Sequence, residues 1–414
     1  MRATTLLSKC LQLNKTRILG VTFDDEGLVL DVAPSTQIPR CSECFCKVRK
    51  VYDRREGRRW RHLDLAAMKL HLRYDLRRVD CPRCGVVVEL VPWAEKGSWF
   101  TYEFEDTVAY LLQGLNTTAV AETMQISWPT VGKITRRVVE RVQDGDDLDG
   151  LTIIGIDELS YRRHHEYVTV VVDHVRRRVV WARPGKNAAT VKQFFDDVGP
   201  ERAAGIEVVT MDMSGAYIKA VTEAAPNARI VFDRFHVQRL AHDALDKVRR
   251  EQVRMLQDPE AQRALKGTRF ALQKNPWNLT LLEGQKVAEV QRVNRPLYRA
   301  YLLKETLAAI LDRRQVNVAR KKLGEWVAWA TRSRLKPFTK LARTIKKHME
   351  GIVGYVQTRL SNGIVEGLNG KIRTITRRAY GFHSASSLIA LIFLCCSGIT
   401  LYPIQKRPVL PHNL

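Results

Sequence analysis

The sequence predicts a multidomain α/β chain: an N-terminal zinc-binding β module, a helix-turn-helix, and a mixed sheet with helices on its faces that an all-α, basic segment interrupts. Three observations carry this. Two C-x-x-C pairs fall within the first 84 residues. The apolar pattern turns helical near residue 102 and returns to strands from Leu151. Two acids that follow apolar strands, Asp157 and Asp212, are answered by Glu366 far downstream.

At 414 residues the chain exceeds one ordinary core, and roughly two to four domains are expected. Lys plus Arg number 68 against 44 for Asp plus Glu, a formal charge of +24. Such an excess suits a polyanionic partner, nucleic acid before a ribosome-associated or membrane-surface role. The run MRATTLLSKCLQL lacks a long apolar core followed by a small-residue cleavage site, so no signal peptide is expected. The longest apolar run, 388–396, is well short of the roughly 20 residues that span a bilayer and reads as a buried helix. A cytoplasmic, nucleoid-associated protein without membrane contact is the expectation. In that reducing compartment clustered thiols bind metal more often than they pair.

Residues 1–95 are read as the zinc-binding DNA-recognition module. Residues 17–33 alternate apolar and polar around an Asp-Glu-Gly turn, the pattern of a β-hairpin leading into the first cysteine pair. Cys41 and Cys44, with Cys81 and Cys84, offer four thiolates for one tetrahedral structural Zn2+. The long gap between the pairs holds strand-like LHLRYDLRRVDC, which returns the second pair to the first. Cys46 is read as a bystander, and Cys10, Cys395 and Cys396 as core residues. Arg54, Arg55, Arg58, Arg59 and Arg61 crowd around Trp60, and Arg73, Arg77 and Arg78 follow. A charge run is often only a solvated face; the functional reading is contact with phosphates.

Residues 96–148 hold three short helices over 102–143, the last opened by Ser127 as N-cap with Pro129 in its first turn. The tight turn at Gln125-Ile126-Ser127 matches a helix-turn-helix whose last helix enters the major groove. Thr130, Lys133, Arg136 and Arg137 are its exposed residues, while Val131, Ile134 and Val138 face the core. A three-helix structural spacer is the alternative. The acidic stretch 143–150 reads as a linker.

Residues 149–236 give three strands, a helix near 189–198, the strand IEVVTMD, a helix from Ser214 and the strand ARIVFD, hence a mixed sheet. Asp157 and Asp212 are each read as ending a strand, where a carboxylate leaves the apolar core. Glu158 points to the opposite face from Asp157. Asp173, His164 and His165 read as turn residues. Residues 237–355 are helical and basic; Trp326 and Trp329 are assigned to core packing rather than base stacking, and Lys346, Lys347 and His348 to a solvated face that touches DNA backbone. In 356–414, Asn362, Glu366, Asn369 and Arg373 share a helical face, with Lys371 one turn away. Three convergent carboxylates hold a pair of Mg2+ ions, with Mn2+ able to substitute. In so basic a chain the substrate of such a pair is a nucleic-acid phosphodiester.

The two cysteine pairs, the three helices, IGIDE, MDMSGAY, FDRFHV and SNGIVEGLNGKIR together resemble an insertion-sequence transposase of the ISL-three family over nearly the whole length. The resemblance implies a DDE catalytic domain of the ribonuclease-H-like fold, with Asp157 on the central strand, Asp212 after the neighbouring fourth strand and Glu366 as the last acid. Residues 237–355 become the insertion before that acid. Asp233 and His236 match a D-x-x-H signature of related transposases; either they support the site or touch DNA, or Asp233 replaces Asp212 as the second metal-binding acid. Asn362, Lys371 and Arg373 take supporting places. The implied function is binding of terminal inverted repeats, with metal-dependent strand cleavage and strand transfer into target DNA by a homodimer or larger assembly. Against it stand a non-enzymatic zinc and helix-turn-helix regulator with an inactive nuclease-like domain, and a nuclease that uses water alone.

Overall fold

The computed structural model describes residues 3–11, 13–143, 148–162, 166–360, 362–379 and 384–402. His164, His165 and most of the expected linker lie outside the described residues. Two compact units divide the chain, Met1–Gln143 with Ile399–Leu414, and Asp144–Gly398.

In the first unit a helix, α1 (Ala3–Leu11), precedes five strands: β1 (Thr16–Asp24), β2 (Gly27–Pro34), β3 (Val51–Leu65), β4 (Met68–Cys81) and β5 (Gly85–Val88). The expected hairpin is β1–β2, closing with Asp24 opposite Gly27. The sheet order is β1-β2-β4-β3, with β5 added to β4. Alternation along β2 and β4 sends Leu28, Leu30, Leu70 and Leu72 into one core, where Trp60 and Trp93 meet edge to face at 5.6 Å. Helix α1 buries no residue, and Cys10 is exposed rather than part of a core. Leu7 and Leu11 pack against the sheet's core only in part-buried positions, and Cys10 lies off that side.

Three helices follow: α2 (Tyr102–Gly114), α3 (Thr117–Met124) and α4 (Trp128–Val142). Asn116 caps α3 by accepting from Ala119 N at 2.7 Å, and Gln125 ends it in the left-handed region. Ser127 is the N-cap of α4, with proline in the first turn as read from sequence. Val131, Ile134 and Val138 are fully buried.

The second unit carries a five-stranded sheet of β6 (Ile153–Arg162), β7 (Glu166–Asp173), β8 (Arg178–Pro184), β9 (Val208–Met211) and β10 (Arg229–Phe232). Its order is β10-β9-β6-β7-β8. Strands β6, β9 and β10 run parallel; β7 is antiparallel to β6, and β8, antiparallel to β7, returns to the direction of β6. This is the ribonuclease-H-like arrangement. Helices α5 (Ala188–Val198), α6 (Pro200–Ala204) and α7 (Gly215–Ala224) link the strands, and Phe194, Phe195, Tyr217 and Val221 cover the face that holds Ile154 and Ile156.

A helical run follows β10: α8 (Arg234–Met255), α9 (Pro259–Lys266), α10 (Arg269–Gln273), α11 (Leu281–Val293), α12 (Arg295–Leu311), α13 (Val316–Arg332), α14 (Lys336–Lys347) and α15 (Met349–Thr358). Trp326 is buried within it and donates Nε1 to Leu303 O at 2.8 Å, so it packs rather than stacks on a base. The chain then returns to the sheet as α16 (Gly363–Arg378) and α17 (Ala385–Cys396). The latter is the buried apolar helix expected at 388–396, and it takes Cys396 into the interior. Among the described residues no helix is long and apolar enough to cross a membrane.

One element boundary differs from expectation. Strand β6 does not end at Asp157; it continues to Arg162, with Asp157 opposite Val170. Its length is set by β7, which pairs with it as far as Arg162 opposite Glu166. On its other edge, the pairing with β9 ends at Gly155 opposite Thr210. Asp157 therefore sits mid-strand, at the step where the sheet loses its parallel neighbour.

Candidate functional site

In open α/β sheets, ligands collect where parallel strands end. Here Asp212 follows β9 and Asp233 follows β10, both beside Asp157 on the central strand. Residues 155 and 157 share one face of β6, and α16 covers it. The close approach depends on Gly155. A Cβ there would lie 2.4 Å from Val365 Cγ2, 2.8 Å from His174 Nε2 and 3.0 Å from Thr210 Oγ1. Asn369, one turn beyond Glu366, donates Nδ2 to Asp157 Oδ2 at 2.7 Å. The other carboxylate oxygen of Asp157 accepts from Glu158 N at 2.8 Å. Asn362 caps α16 and gives its backbone N–H to Asp233 Oδ1 at 3.4 Å, and Glu366 stands in the helix's first turn.

Electrostatics tie these groups together. Burial pushes the Asp157 carboxyl above its ordinary 3.8, with Asp212 adding to the shift and His236 and Arg373 opposing it. Glu366 is raised by burial first, then by Asp233 and Asp157. His236 is raised by Asp233, whose Oδ2 lies 3.2 Å from its Nδ1. Glu158 faces the other side of the strand, as expected; burial and then Asp212 raise it, and it bonds the hydroxyl of Tyr217. Asp212 thus shares its field with Asp157 and Glu158, whereas the acid that bears most on Glu366 is Asp233. Asp212 also accepts from Ser214 N at 2.9 Å, the turn that opens α7.

Asp157 feels the charge of Asp212, and Glu366 that of Asp157, but the oxygens of the three expected acids do not close to within 4.8 Å of one another. Among the described residues only Cys41, Cys44, Cys81 and Cys84 do so as a set. Like charges repel, and Asp157 and Asp212 each hold a local hydrogen-bond donor. The donor set nevertheless fits a divalent cation. Asn362 Oδ1 and Asn369 Oδ1 are buried without a hydrogen-bond partner, beside carboxyls whose shifts burial dominates. Lys371 turns away and donates to Cys395 O. Arg373 is exposed on α16. Asp173 accepts from Val175 N at 2.8 Å, a turn residue as read.

The four thiols of the first unit come from the β2–β3 connection and the β4–β5 turn, which the long β3–β4 hairpin brings together. Backbone and thiol donors of Cys46 hold Cys44 down at about 6. Cys46 is more than a bystander in position: its Sγ lies 3.2 Å from that of Cys44 and 3.6 Å from that of Cys81. Tetrahedral thiolate geometry suits zinc.

The arginines divide into two groups. Arg77 is clamped to buried Glu89, with Nη2 at 2.6 Å, and Arg137 to buried Glu105 at 2.6 Å. Arg59 pairs with Asp24 at 2.8 Å, and Arg78 Nε donates to Asp53 at 2.6 Å. Arg58 lies between Trp60 and Trp99, 5.0 Å from each ring centre. Arg54, Arg55, Lys133 and Arg136 are exposed, and Thr130 bonds Ser127 through their hydroxyls at 2.7 Å. Gly155 is the contact that reading by residue type passed over, while Asn369 was placed on the face of Glu366 without its partner, Asp157. A glycine isolated in the apolar strand TIIGIDE was the available signal, since such a glycine marks a close approach of another backbone.

A nuclease needs no zinc ribbon and helix-turn-helix ahead of its sheet; this combination belongs to DNA transposases. A profile for transposases of the ISL3 type, with a DDE domain, matches residues 154–392. The helix-turn-helix domain of transposase family ISL3 matches 89–139, and the zinc-finger of transposase IS204/IS1001/IS1096/IS1165 matches 37–84. The transposase for insertion sequence element IS1557 of Mycobacterium tuberculosis is 39% identical over 447 residues, covering 100% of this chain and 99% of that protein. The transposase for insertion sequence element IS1001 of Bordetella parapertussis is 30% identical over 364 residues, covering 87% and 89%. The chain belongs to the ISL3 family of insertion-sequence transposases.

Proposed function

We propose that Asp157, Asp212 and Glu366 are the catalytic acids of this DNA transposase and that they hold a pair of Mg2+ ions, which Mn2+ can replace. The observation that carries the reading is the Asn369–Asp157 hydrogen bond, which fastens the helix bearing Glu366 to the central strand. The chemistry such ions supply is activation of the attacking oxygen and stabilisation of the departing one. The protein's own part is position and charge. Asn369 orients the Asp157 carboxylate, Asn362 seats Asp233 at the head of α16, and Asp233 holds the His236 ring, with Oδ2 3.2 Å from Nδ1. Arg373 offers an exposed guanidinium to a phosphate oxygen. An oxygen of water, and later a DNA 3′-hydroxyl, attacks phosphorus as the opposite P–O bond breaks. A second assignment, with Asp233 in place of Asp212, is favoured by the strength of its field at Glu366.

The zinc module (1–95) and helix-turn-helix (96–148) read the terminal inverted repeats, with Arg54, Arg55, Lys133 and Arg136 as the exposed contacts. The catalytic core takes 149–236 and 356–414 around the insertion 237–355. Two ends must be processed together, so a dimer or larger assembly acts on DNA in the bacterial cytoplasm.

A strand-transfer assay with labelled element ends, Mg2+ and a plasmid target tests this. D157N and E366Q are expected to abolish cleavage and joining while end binding persists; K133A/R136A is expected to weaken end binding itself. Loss of cleavage in D212N with activity retained in D233N supports the triad, and the reverse pattern moves the second acid to Asp233. Binding without cleavage by the unaltered protein makes it a regulator; cleavage without joining makes it a nuclease.

A further inference from the structure

Helix α14 carries a feature that the catalytic pocket and the N-terminal modules leave unused. Its buried side is Phe338, Leu341, Ala342 and Ile345. Lys336, Lys340, Arg343 and Lys347 are all exposed. At about 100° per residue these four fall within roughly 60° of arc, directly opposite the buried stripe. Along the axis they cover about 16 Å. Arg332 and Arg334 lead into the helix, Lys346 flanks its end, and no Asp or Glu occurs from 332 to 347.

A helix face that only needs solvation ordinarily mixes signs. This one does not, and it works against its own helix. Lys336 with Lys340, and Arg343 with Lys347, are like charges at i,i+4. Lys336 also stands in the first turn, where the helix dipole disfavours a cation. The nearest acids in sequence are engaged elsewhere, Glu350 with Arg320 and Glu325 with Lys322. Among the described residues no carboxylate lies within 4.0 Å of the four stripe cations. The stripe is an unneutralised line of charge on a packed, rigid element.

We propose that this face of α14 is a second DNA-binding surface, which grips the phosphate backbone of duplex DNA without regard to sequence. It rests on the chain being a DNA transposase and is independent of which acids form the catalytic set. Phosphate contacts fix position and carry no sequence information, so the surface holds target or flanking duplex while the N-terminal modules supply recognition. Each phosphate neutralised contributes about 0.9 to the fall of log affinity with log salt concentration. Four contacts therefore contribute about 3 to 4.

The test uses the full chain with zinc bound and a labelled duplex of unrelated sequence, its affinity followed by fluorescence anisotropy across a salt series. K336Q/K340Q/R343Q/K347Q is expected to flatten the salt slope by about 3 to 4, and to leave the ratio of element-end to unrelated affinity unchanged. The half variants K336Q/K340Q and R343Q/K347Q are each expected to flatten it by about 2, so the result does not hang on one quadruple variant folding. A control of equal charge, R254Q/R263Q/K266Q/K286Q, is expected to change the slope by less than half as much. An unchanged slope overturns the proposal, as does an equal change in the control. So does loss of binding to anionic phosphatidylserine vesicles with the DNA slope intact, which would assign the face to a lipid surface.

Discussion

Asp157 has both carboxylate oxygens occupied by donors, and its burial still holds the carboxyl above 3.8. A carboxyl raised on folding stabilises the protein fully below its unfolded value and loses that contribution as pH rises through the folded one. Burial therefore disfavours the charged form of Asp157 in the metal-free protein, and its contribution to stability falls as pH rises through the folded value. D157N removes the buried charge but turns an amide NH2 toward one of the two donors that the carboxylate satisfied, so it is expected to lower the melting temperature of the metal-free protein by about 2–4 °C, while abolishing cleavage. Added Mg2+ should raise the melting temperature of the unaltered protein and leave D157N unmoved. Thermal melts with and without Mg2+, from acid to neutral pH, check this; a D157N that melts above the unaltered protein near neutrality contradicts it. Residue identity in the sequence pointed to these acids but not to their partners. The commitment of Arg77 to Glu89 and of Arg137 to Glu105 depends on glutamates whose burial no local pattern displays.

At the scale of elements, the contact between β6 and α16 decides where Glu366 stands. G155A would set a Cβ 2.4 Å from Val365 Cγ2, inside a strand with no room to move. Overpacking of this kind costs about 1–3 kcal/mol. A shift of α16 by about an ångström would lower cleavage by about 100-fold. Chemical denaturation and a single-turnover cleavage assay measure the two effects, and a G155A protein with normal stability and rate would show the contact to be slack. Most elements were legible because their apolar periods are local: the hairpin, the three N-terminal helices, the alternation from β9 to β10 and the buried α17. The end of β6 was not. A strand's length is fixed by the partner beside it, and β7 carries the pairing five residues past Asp157, to Arg162.

On the scale of the whole molecule, two compact units divide reading from chemistry. The first depends on four thiols gathered from segments about 40 residues apart, Cys41 to Cys81. Its thiolates repel one another without a cation, so zinc binding and folding of the module are one equilibrium. Removing zinc with a strong chelator and then restoring Mg2+ is expected to lower affinity for element ends by at least about tenfold, while the thermal transition of the second unit stays in place. Calorimetry paired with end-binding measurements separates the two responses, and unaltered end affinity after zinc loss would count against a structural metal. The architecture was legible at this scale because each module announces itself by a different period or residue type. The gathering of the acid pocket was not, since its parts come from three strands and a helix far apart in sequence.

That distance has a bearing on synthesis. Asn369 reaches Asp157 across 212 positions, and the zinc module and helix-turn-helix lie ahead of that strand. As the chain leaves the ribosome it first gains the means to hold DNA, and only the final stretch brings the helix that orders the acid. A product truncated before residue 363 therefore keeps both N-terminal modules but loses the helix that orders the acid, and with it the Ile399 carbonyl that accepts from Gln113 in the first unit.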